Sequence, residues 1–159
     1  MSRVQLRPYV PADAAPLRRL FVETVHAVNR RDYTPEQLAA WAPAKHDAAA
    51  WQRSFDGRFA VVAEIDGRLA GFADLERPDH VGRLYVGKDA QRLGVARRLY
   101  AALEAEACAR GVRVLTVDAS ITALPFFERM GFGHPREQRV ERRGVALTNY
   151  AVSKPLSDA

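Results

Sequence analysis

The alternation of apolar and polar residues along the chain predicts short strands interrupted by helices. Period-two stretches predict strands at 4–7, 59–65, 69–76, 81–86, 112–117, 138–141 and 145–152. Helical periodicity predicts a helix that starts near residue 13, another that starts near residue 34, and helices over 95–110 and 122–129. This order predicts an α/β (α+β) fold, in which a mixed central sheet carries helices on both faces.

Capping and turn residues mark the ends of these elements. Asp13 is the expected N-cap of the first helix. Thr34 is the expected N-cap of the second, with Pro35 at its first position and Gln37 at the capping-box distance. The dipeptide Asp66-Gly67 predicts a tight hairpin turn between two strands.

Composition limits the class of protein. The chain has 159 residues, 48% of them hydrophobic and 27% charged, which predicts one globular domain over 1–159. No apolar stretch approaches the ~20 residues of a membrane-spanning helix, and the N-terminus lacks the apolar stretch of a signal peptide. We therefore expect a cytoplasmic protein without a membrane partner. Cys108 is the single cysteine, so an internal disulfide is excluded.

The net charge of +5 suits an anionic ligand. The arginines recur in short pairs rather than in one block, and no aromatic residues alternate with them as in a nucleic-acid platform. We therefore expect no nucleic-acid partner. A protein that binds DNA through charge alone is the weakest of three hypotheses, and steep salt dependence of DNA binding would support it.

The most informative segment runs from Leu84-Tyr85-Val86 to Gln91-Arg92-Leu93-Gly94-Val95-Ala96. A strand ends there, a short polar turn follows, and a long helix begins. The first N–H groups of a helix have no intrahelical partner, and the helix dipole adds positive charge, so a phosphate binds well there if the backbone can approach it. Gly94 removes a side chain from the point of approach. By itself this pattern also fits an ordinary strand–helix connection.

Two motifs, in order, resemble those of the GNAT superfamily of N-acetyltransferases. Gln91 to Ala96 matches the coenzyme A motif Q/R-x-x-G-x-G/A, and the preceding strand is typical of it. Downstream, Ala123-Leu124-Pro125-Phe126-Phe127-Glu128-Arg129-Met130-Gly131-Phe132 resembles the block A-x-x-F-Y-E-K-x-G-F. The hairpin, the strand order and the length agree as well, so the resemblance covers nearly the whole chain.

The resemblance implies a GNAT-like fold that transfers the acetyl group of acetyl-CoA to a primary amine in a ternary complex. It implies that the strands before and after the long helix splay apart and admit the pantetheine arm. A main-chain N–H near Leu84–Val86 would polarise the thioester carbonyl. The residues implied to bind the coenzyme are Leu84, Tyr85, Val86, Gln91, Arg92, Leu93, Gly94, Val95, Ala96, Ser120, Phe126, Phe127 and Arg129. Core packing remains an alternative for Phe126 and Phe127.

The chain departs from the family pattern at positions that bear on catalysis. Phe127 replaces the common Tyr whose hydroxyl is placed to protonate the departing thiolate, and Ser120 replaces a common Asn. Gly82 stands where relatives often place an acidic residue. These departures favour, as the alternative hypothesis, a non-catalytic sensor or regulator that binds acyl-CoA.

Several residues could act as the general base. The candidates near or at strand ends are Asp74, Glu76, Asp79, His80 and Asp118. An imidazole suits proton transfer near neutral pH, and carboxylates serve the same role, so Glu76 and His80 are the preferred candidates. The Tyr85 hydroxyl, or water, is the expected source of the proton for the thiolate. No cluster has metal-ligand spacing, so we expect no metal.

The acetyl acceptor is expected to bind near the segment 26–41. The run 29–43 resembles the corresponding stretch of uncharacterised bacterial GNAT proteins, where this region covers the acceptor side. His26, Tyr33 and Trp41 are the candidate substrate-binding residues, because aromatic rings bind amines by stacking or cation–π contact. The acceptor is a small-molecule amine or a peptide amine. The resemblance also allows a homodimer that pairs through late strands or helices.

Overall fold

The computed structural model describes residues 3–157. One seven-stranded sheet forms the centre, with the order β1-β2-β3-β4-β5-β7-β6. Its strands are β1 (Val4–Pro8), β2 (Phe59–Ile65), β3 (Arg68–Arg77), β4 (His80–Val86), β5 (Val114–Ser120), β6 (Gly133–Arg142) and β7 (Val145–Pro155). All neighbouring pairs are antiparallel except β4 and β5, which are parallel. The predicted mixed sheet is confirmed.

Five α-helices cover the two faces of this sheet. They are α1 (Ala14–Val28), α2 (Pro35–Trp41), α3 (Ala48–Arg53), α4 (Val95–Ala109) and α5 (Leu124–Arg129). One cluster joins α1, α2 and α3 to one face, where Leu17 of α1, Leu38 of α2 and Trp51 of α3 pack with Phe72 of β3. A second cluster joins α4 and α5 to the opposite face through Leu99 and Leu103 of α4 and Phe127 of α5. No helix among the described residues is long and apolar enough to cross a membrane.

The start of α1 differs from its prediction. A 3-10 turn over Pro11–Asp13 precedes the helix, and Asp13 makes no capping bond to it. Its carboxylate instead accepts the Val10 N–H at 2.9 Å and pairs with the Arg7 guanidinium at 2.8 Å. The hydrogen bond from Arg7 lowers the pKa of Asp13. Asp13 thus links the start of α1 to β1, because its carboxylate pairs with Arg7, 6 residues away, instead of capping the helix.

The start of α2 follows its prediction. Thr34 accepts the Gln37 N–H at 3.2 Å, and the Gln37 side chain accepts the Thr34 N–H at 2.9 Å. The short helix α3 was not predicted from the sequence. Its N-cap is Asp47, whose carboxylate accepts the Ala50 N–H at 3.0 Å. That Asp, followed by an alanine run, is a capping signal that could have revealed α3.

Turn residues account for the remaining boundaries. Asp66 and Gly67 have φ values of 51° and 78°, which is the geometry of the predicted hairpin turn between β2 and β3. The strand predicted to start at Val112 starts at Val114 instead. The Val112 N–H is used to close the end of α4, where it donates to the Ala107 carbonyl at 3.0 Å across Gly111.

Candidate active site

The parallel strands β4 and β5 separate soon after they begin. Their pairing is limited to His80 with Thr116 and Val81 with Val117. Beyond these pairs the strands splay, and a cavity of about 510 Å³ opens between β4, β5, α4 and α5. This is the cleft that the resemblance implied for the pantetheine arm.

Main-chain N–H groups of β4 line one side of this cleft, here called the coenzyme cavity. The Arg83 N–H donates to the Asp74 carboxylate at 2.8 Å, and the Gly87 N–H donates to the Ala70 carbonyl at 2.8 Å, so both face β3. Because N–H groups alternate along a strand, those of Leu84 and Val86 face the cavity. The strand therefore offers the polarised donors that a thioester carbonyl and an amide-bearing arm require.

The loop between β4 and α4 has an unusual backbone at its tip. Arg92 and Gly94 both have positive φ values, 62° and 81°, and Gly94 is the N-cap of α4. This conformation bends successive N–H groups toward one side, as anion-binding loops do. A Cβ built on Gly94 would meet no atom within 4 Å, so the space above the loop is open. The Gln91 amide donates to the Val86 carbonyl at 2.7 Å and thereby closes the loop.

All but one of the residues implied to bind the coenzyme line the coenzyme cavity. The members that line it are Leu84, Tyr85, Val86, Gln91, Arg92, Gly94, Val95, Ala96, Ser120, Phe126, Phe127 and Arg129. Leu93 does not line it and is 51% exposed. Phe127 is only 4% exposed and packs against Phe132 and Tyr100, so most of its ring belongs to the core. Phe126 is half-buried beside it.

Ser120 has a structural role at the far wall. Its hydroxyl accepts the Ala123 N–H at 3.0 Å, at the turn that leads from β5 to α5. Asp118 does not cap this helix. Its carboxylate instead accepts the Gln138 side-chain amide at 2.8 Å and lies 3.4 Å from the His80 ring.

Sequence reasoning missed the part of the coenzyme cavity that α1 supplies. Thr24, Val28, Asn29 and Arg31 line it from the end of that helix. The Thr24 hydroxyl is buried and donates to the Val86 carbonyl at 3.3 Å, so it shares an acceptor with Gln91. A polar Thr among the apolar positions of α1 was the available signal, since a buried hydroxyl needs a partner.

A second cavity, of about 210 Å³, adjoins the first. We call it the acceptor cavity. The two cavities share Trp41, Val81, Gly82, Tyr85, Asp118 and Ser120 in their linings. The candidate bases Glu76 and His80 line the acceptor cavity, as do Tyr33 and Trp41. A group bound there can therefore meet a group bound in the coenzyme cavity.

Both ring nitrogens of His80 have polar neighbours. Its Nδ1 lies 2.7 Å from the Thr116 hydroxyl, and that hydroxyl donates its one proton to the Asp79 carbonyl at 3.2 Å. An Nδ1–H donor on His80 is compatible with this arrangement, because the hydroxyl then accepts from the ring and donates to the carbonyl. Nε2 lies beside the acceptor cavity, 3.4 Å from the Asp118 carboxylate. This arrangement suits a base whose protonated form a carboxylate stabilises.

Asp74, by contrast, is unsuited to act as a base. Its side chain is fully buried and accepts both the main-chain and the side-chain N–H of Arg83 at 2.8 Å, with Arg58 at 3.4 Å. A Cβ built on Gly82 would lie 2.6 Å from this carboxylate. Gly82 therefore makes room for the buried ion pair, at the position where relatives often carry an acid.

The other carboxylates are partly neutralised. Glu76 lies 3.7 Å from Arg58 and 3.5 Å from Arg77, and its side chain is 46% exposed. Asp79 pairs with Arg77 at 3.3 Å and lines neither cavity. Of the five candidate bases, Glu76, His80 and Asp118 line the acceptor cavity, and His80 and Asp118 lie in contact there.

Tyr33 and Trp41 hold the wall between the cavities. Tyr33 is 6% exposed and is therefore buried. Its hydroxyl donates to the Thr148 carbonyl at 2.6 Å and accepts the Ile121 N–H at 3.0 Å, which ties α2 to β7 and to the end of β5. Trp41 packs edge-on against Tyr33 and lines both cavities.

His26 lines neither cavity. It is exposed, and its Nε2 lies 2.8 Å from the Ala42 carbonyl. Arg143 donates to the Ala40 carbonyl at 2.6 Å, and Arg18 donates to the Pro43 carbonyl at 2.7 Å. These basic side chains satisfy carbonyls at the end of α2 that have no helical partner, and so they fix Trp41.

Burial raises the pKa of Tyr85 to about 12. Its ring packs against Phe21 and Phe72, within the cluster under α1. The hydroxyl therefore stays protonated at neutral pH. A proton transfer to a thiolate, whose conjugate thiol ionises near pH 8.5 on the cysteine scale, would be uphill.

Within residues 3–157 no group of three His, Cys, Asp or Glu side chains could hold a metal ion. The expectation that the protein uses no metal stays a prediction.

Comparisons with known proteins agree with this architecture. Residues 29–154 match the model of the acetyltransferase (GNAT) domain family. The uncharacterised N-acetyltransferase YafP of Escherichia coli is 37% identical over 151 residues, which are 94% of this chain and 95% of that protein. The chain therefore belongs to the GNAT family, as its motifs predict. It is accordingly an acetyl-CoA-dependent N-acetyltransferase.

Solved structures extend the likeness. A GCN5-related N-acetyltransferase from Rhodopseudomonas palustris superposes with a TM-score of 0.94 and 39% identity, over 98% of both chains. The PaiA N-acetyltransferase from Thermoplasma acidophilum, solved in complex with coenzyme A, has a TM-score of 0.74 at 16% identity, over 96% of this chain and 99% of that one. At that identity the second likeness concerns the fold.

Proposed function

We propose that the chain, as one domain over 1–159, transfers the acetyl group of acetyl-CoA directly to a primary amine, with His80 as the general base. The coenzyme occupies the coenzyme cavity and the amine enters from the acceptor cavity. The observation that carries this proposal is the position of His80, whose ring contacts Thr116 and Asp118 and lines the acceptor cavity.

Binding of the coenzyme relies mainly on the backbone. The pyrophosphate would accept hydrogen bonds from the N–H groups of the loop at Arg92 and Gly94 and from the start of α4. Arg92, Arg97 and Arg129 line the same cavity and add positive charge. The arm would lie along β4, where the free N–H groups of Leu84 and Val86 reach it.

The transfer step balances without any further reactant. The amine nitrogen attacks the thioester carbonyl, a C–N bond forms and the C–S bond breaks, and coenzyme A leaves as its thiolate. The amine must lose a proton to become an amide, and Nε2 of His80 accepts it. Asp118, 3.4 Å from that nitrogen, stabilises the imidazolium that results. Proximity in the ternary complex supplies much of the acceleration.

The thiolate does not require a dedicated acid. Phe127 has no hydroxyl, and the raised pKa of Tyr85, about 12, makes its hydroxyl a weak acid. Thiols are acidic enough to leave as thiolates near neutral pH, so water can return the proton. Tyr85 then acts as a wall of both cavities rather than as the acid.

The proposed acceptor is a small-molecule amine or the amine of a peptide, in the cytoplasm and without nucleic acid, membrane or metal. The basic surface serves the phosphates of the coenzyme, since several of its arginines line the coenzyme cavity.

An assay of amine-dependent coenzyme A release with a panel of primary amines tests the proposal. We expect release with at least one amine, and a fall in kcat of about 100-fold in His80→Gln. The affinity for acetyl-CoA, measured by calorimetry, should stay unchanged in that variant. Asp79→Asn is the matched control, because Asp79 lies outside both cavities. Full activity in His80→Gln would refute the assignment of the base.

A further inference from the structure

Arg142, at the end of β6, lines the acceptor cavity with an exposed, positively charged side chain. Its guanidinium donates to the carbonyl of the adjacent Glu141 at 3.1 Å. Among residues 3–157 it forms no ion pair with a carboxylate, whereas Glu76 lies near Arg58 and Arg77. A cation beside a binding cavity without an internal partner is available to a ligand.

The backbone directs Arg142 toward the cavity. Residues pair regularly from Arg136 to Arg142 on β6, so side chains alternate between the two faces of the sheet. Val140 lines the acceptor cavity and packs with the cluster under α1. Arg142, two residues on, shares its face, and Arg139 lies on the opposite face.

The turn that follows Arg142 is held in place. Arg143 and Gly144 both have positive φ values, 50° and 79°, which close a tight hairpin to β7. Arg143 is bound to the Ala40 carbonyl at 2.6 Å, and the Gln37 amide donates to the Ala146 carbonyl at 3.0 Å. Both contacts fix the hairpin against α2, so the base of the Arg142 side chain has a set position at the rim.

The charges across the cavity are asymmetric. On one wall, His80 and Asp118 form the site that receives the amine. On the β6 wall, Arg142 offers a fork of N–H donors that matches a carboxylate. The cavity, at about 210 Å³, is smaller than the roughly 300–1,000 Å³ of pockets for drug-sized ligands. It therefore suits a small molecule that carries both an amine and an anionic group.

We propose that the acetyl acceptor is a small aminocarboxylate, whose amine faces His80 and whose carboxylate pairs with Arg142. This inference rests on the proposed function, because it names the substrate class for the same acceptor cavity. It makes Arg142 a specificity-determining residue: its contact favours acceptors that carry a carboxylate over otherwise identical amines.

The test compares ω-aminocarboxylates, from glycine to 6-aminohexanoate, with the corresponding alkylamines that lack the carboxylate. We expect kcat/KM for at least one aminocarboxylate to exceed that of its alkylamine by about tenfold, as a charge-assisted pair provides. Arg142→Gln should abolish most of this preference. Arg139→Gln, which removes the same charge from the other face of β6, should keep it. Comparing the ratios between variants cancels differences in intrinsic amine reactivity.

The outcomes separate this inference from the proposed function. If alkylamines are acetylated as well as aminocarboxylates, with equal ratios in wild type and Arg142→Gln, the inference is wrong and the acetyltransfer stands. Acetylation confined to peptides that contain acidic side chains would also overturn it. Calorimetry on the protein saturated with coenzyme A gives a second readout. Aminocarboxylate binding that depends on Arg142 but leads to no transfer would refute the proposed reaction and the assignment of the aminocarboxylate as acetyl acceptor, and would leave only its contact with Arg142.

Discussion

The coenzyme cavity and the acceptor cavity are neighbours, but they are built in different ways. One side of the coenzyme cavity comes from a single continuous segment, 84–96, and it offers mainly main-chain N–H groups. The acceptor cavity takes its side chains from places far apart in the chain, among them Tyr33, His80 and Arg142. The coenzyme cavity therefore depends on the conformation of one backbone segment. The acceptor cavity depends on side chains that the fold brings together.

This difference predicts how each cavity responds to substitution. A backbone site tolerates changes of side chain unless they alter φ or block approach. A site made of side chains changes its specificity with single substitutions, because each contributes a distinct contact. We therefore expect losses of coenzyme affinity to concentrate at the loop, and changes of acceptor preference to be spread over β4, β6 and α2.

The largest effect is expected at the loop. Gly94→Glu places a charged side chain where φ is 81° and where the space is open for a phosphate, so acetyl-CoA affinity should fall by at least about tenfold. Calorimetry measures this affinity, and circular dichroism checks that the fold is intact. Leu93→Glu adds the same charge at a residue that lies outside the cavity, and it should have a smaller effect. Unchanged acetyl-CoA affinity in Gly94→Glu would show that the pyrophosphate does not bind at this loop.

A smaller, more selective effect is expected for the wall between the cavities. Trp41→Ala removes a ring that lines both cavities, and we expect the KM for the amine to rise about fivefold, as loss of an amine–aromatic contact of about 1 kcal/mol implies. The KM for acetyl-CoA should rise less, because the coenzyme binds mainly to the backbone. If only the KM for acetyl-CoA rises, Trp41 does not belong to the acceptor site.

The smallest effect is expected at His26. The sequence predicts a role in substrate binding, but the side chain lies outside both cavities and contacts the Ala42 carbonyl. His26→Ala should therefore change either KM by less than about twofold, and lower stability by roughly 1 kcal/mol through the lost hydrogen bond. Steady-state kinetics and thermal unfolding measure the two quantities. A large rise in the KM for the amine would show that His26 contributes to the acceptor site after all.

The same difference explains what the sequence could predict. The loop at Gln91–Ala96 was predictable because a strand end, a glycine and a helix start lie next to one another in the chain. The turn at Asp66-Gly67 and the cap at Thr34 were predictable for the same local reason. Asp13 was assigned to the wrong partner because Arg7 and β1 compete for its carboxylate only in the folded chain.

Long-range contacts limited the prediction of the acceptor side. The orientation of His80 depends on Thr116, 36 residues away, and the hydroxyl of Tyr33 meets Thr148, 115 residues away. Asp74 looked like a candidate base until its burial against Arg83 was known. Arg142 was one basic residue among 24, and only the sheet register brings it to the cavity.

The pH dependence of kcat tests the central claim, catalysis by His80, most directly. With both substrates saturating, we expect kcat in the wild type to rise with pH and then to level, because the base must be unprotonated to accept the proton of the amine. No falling limb should follow below the pKa of Tyr85, about 12, because no Tyr acid is required. In His80→Gln the rising limb should disappear. An unchanged limb in that variant, or a wild-type rate that falls in the alkaline range, would contradict the account.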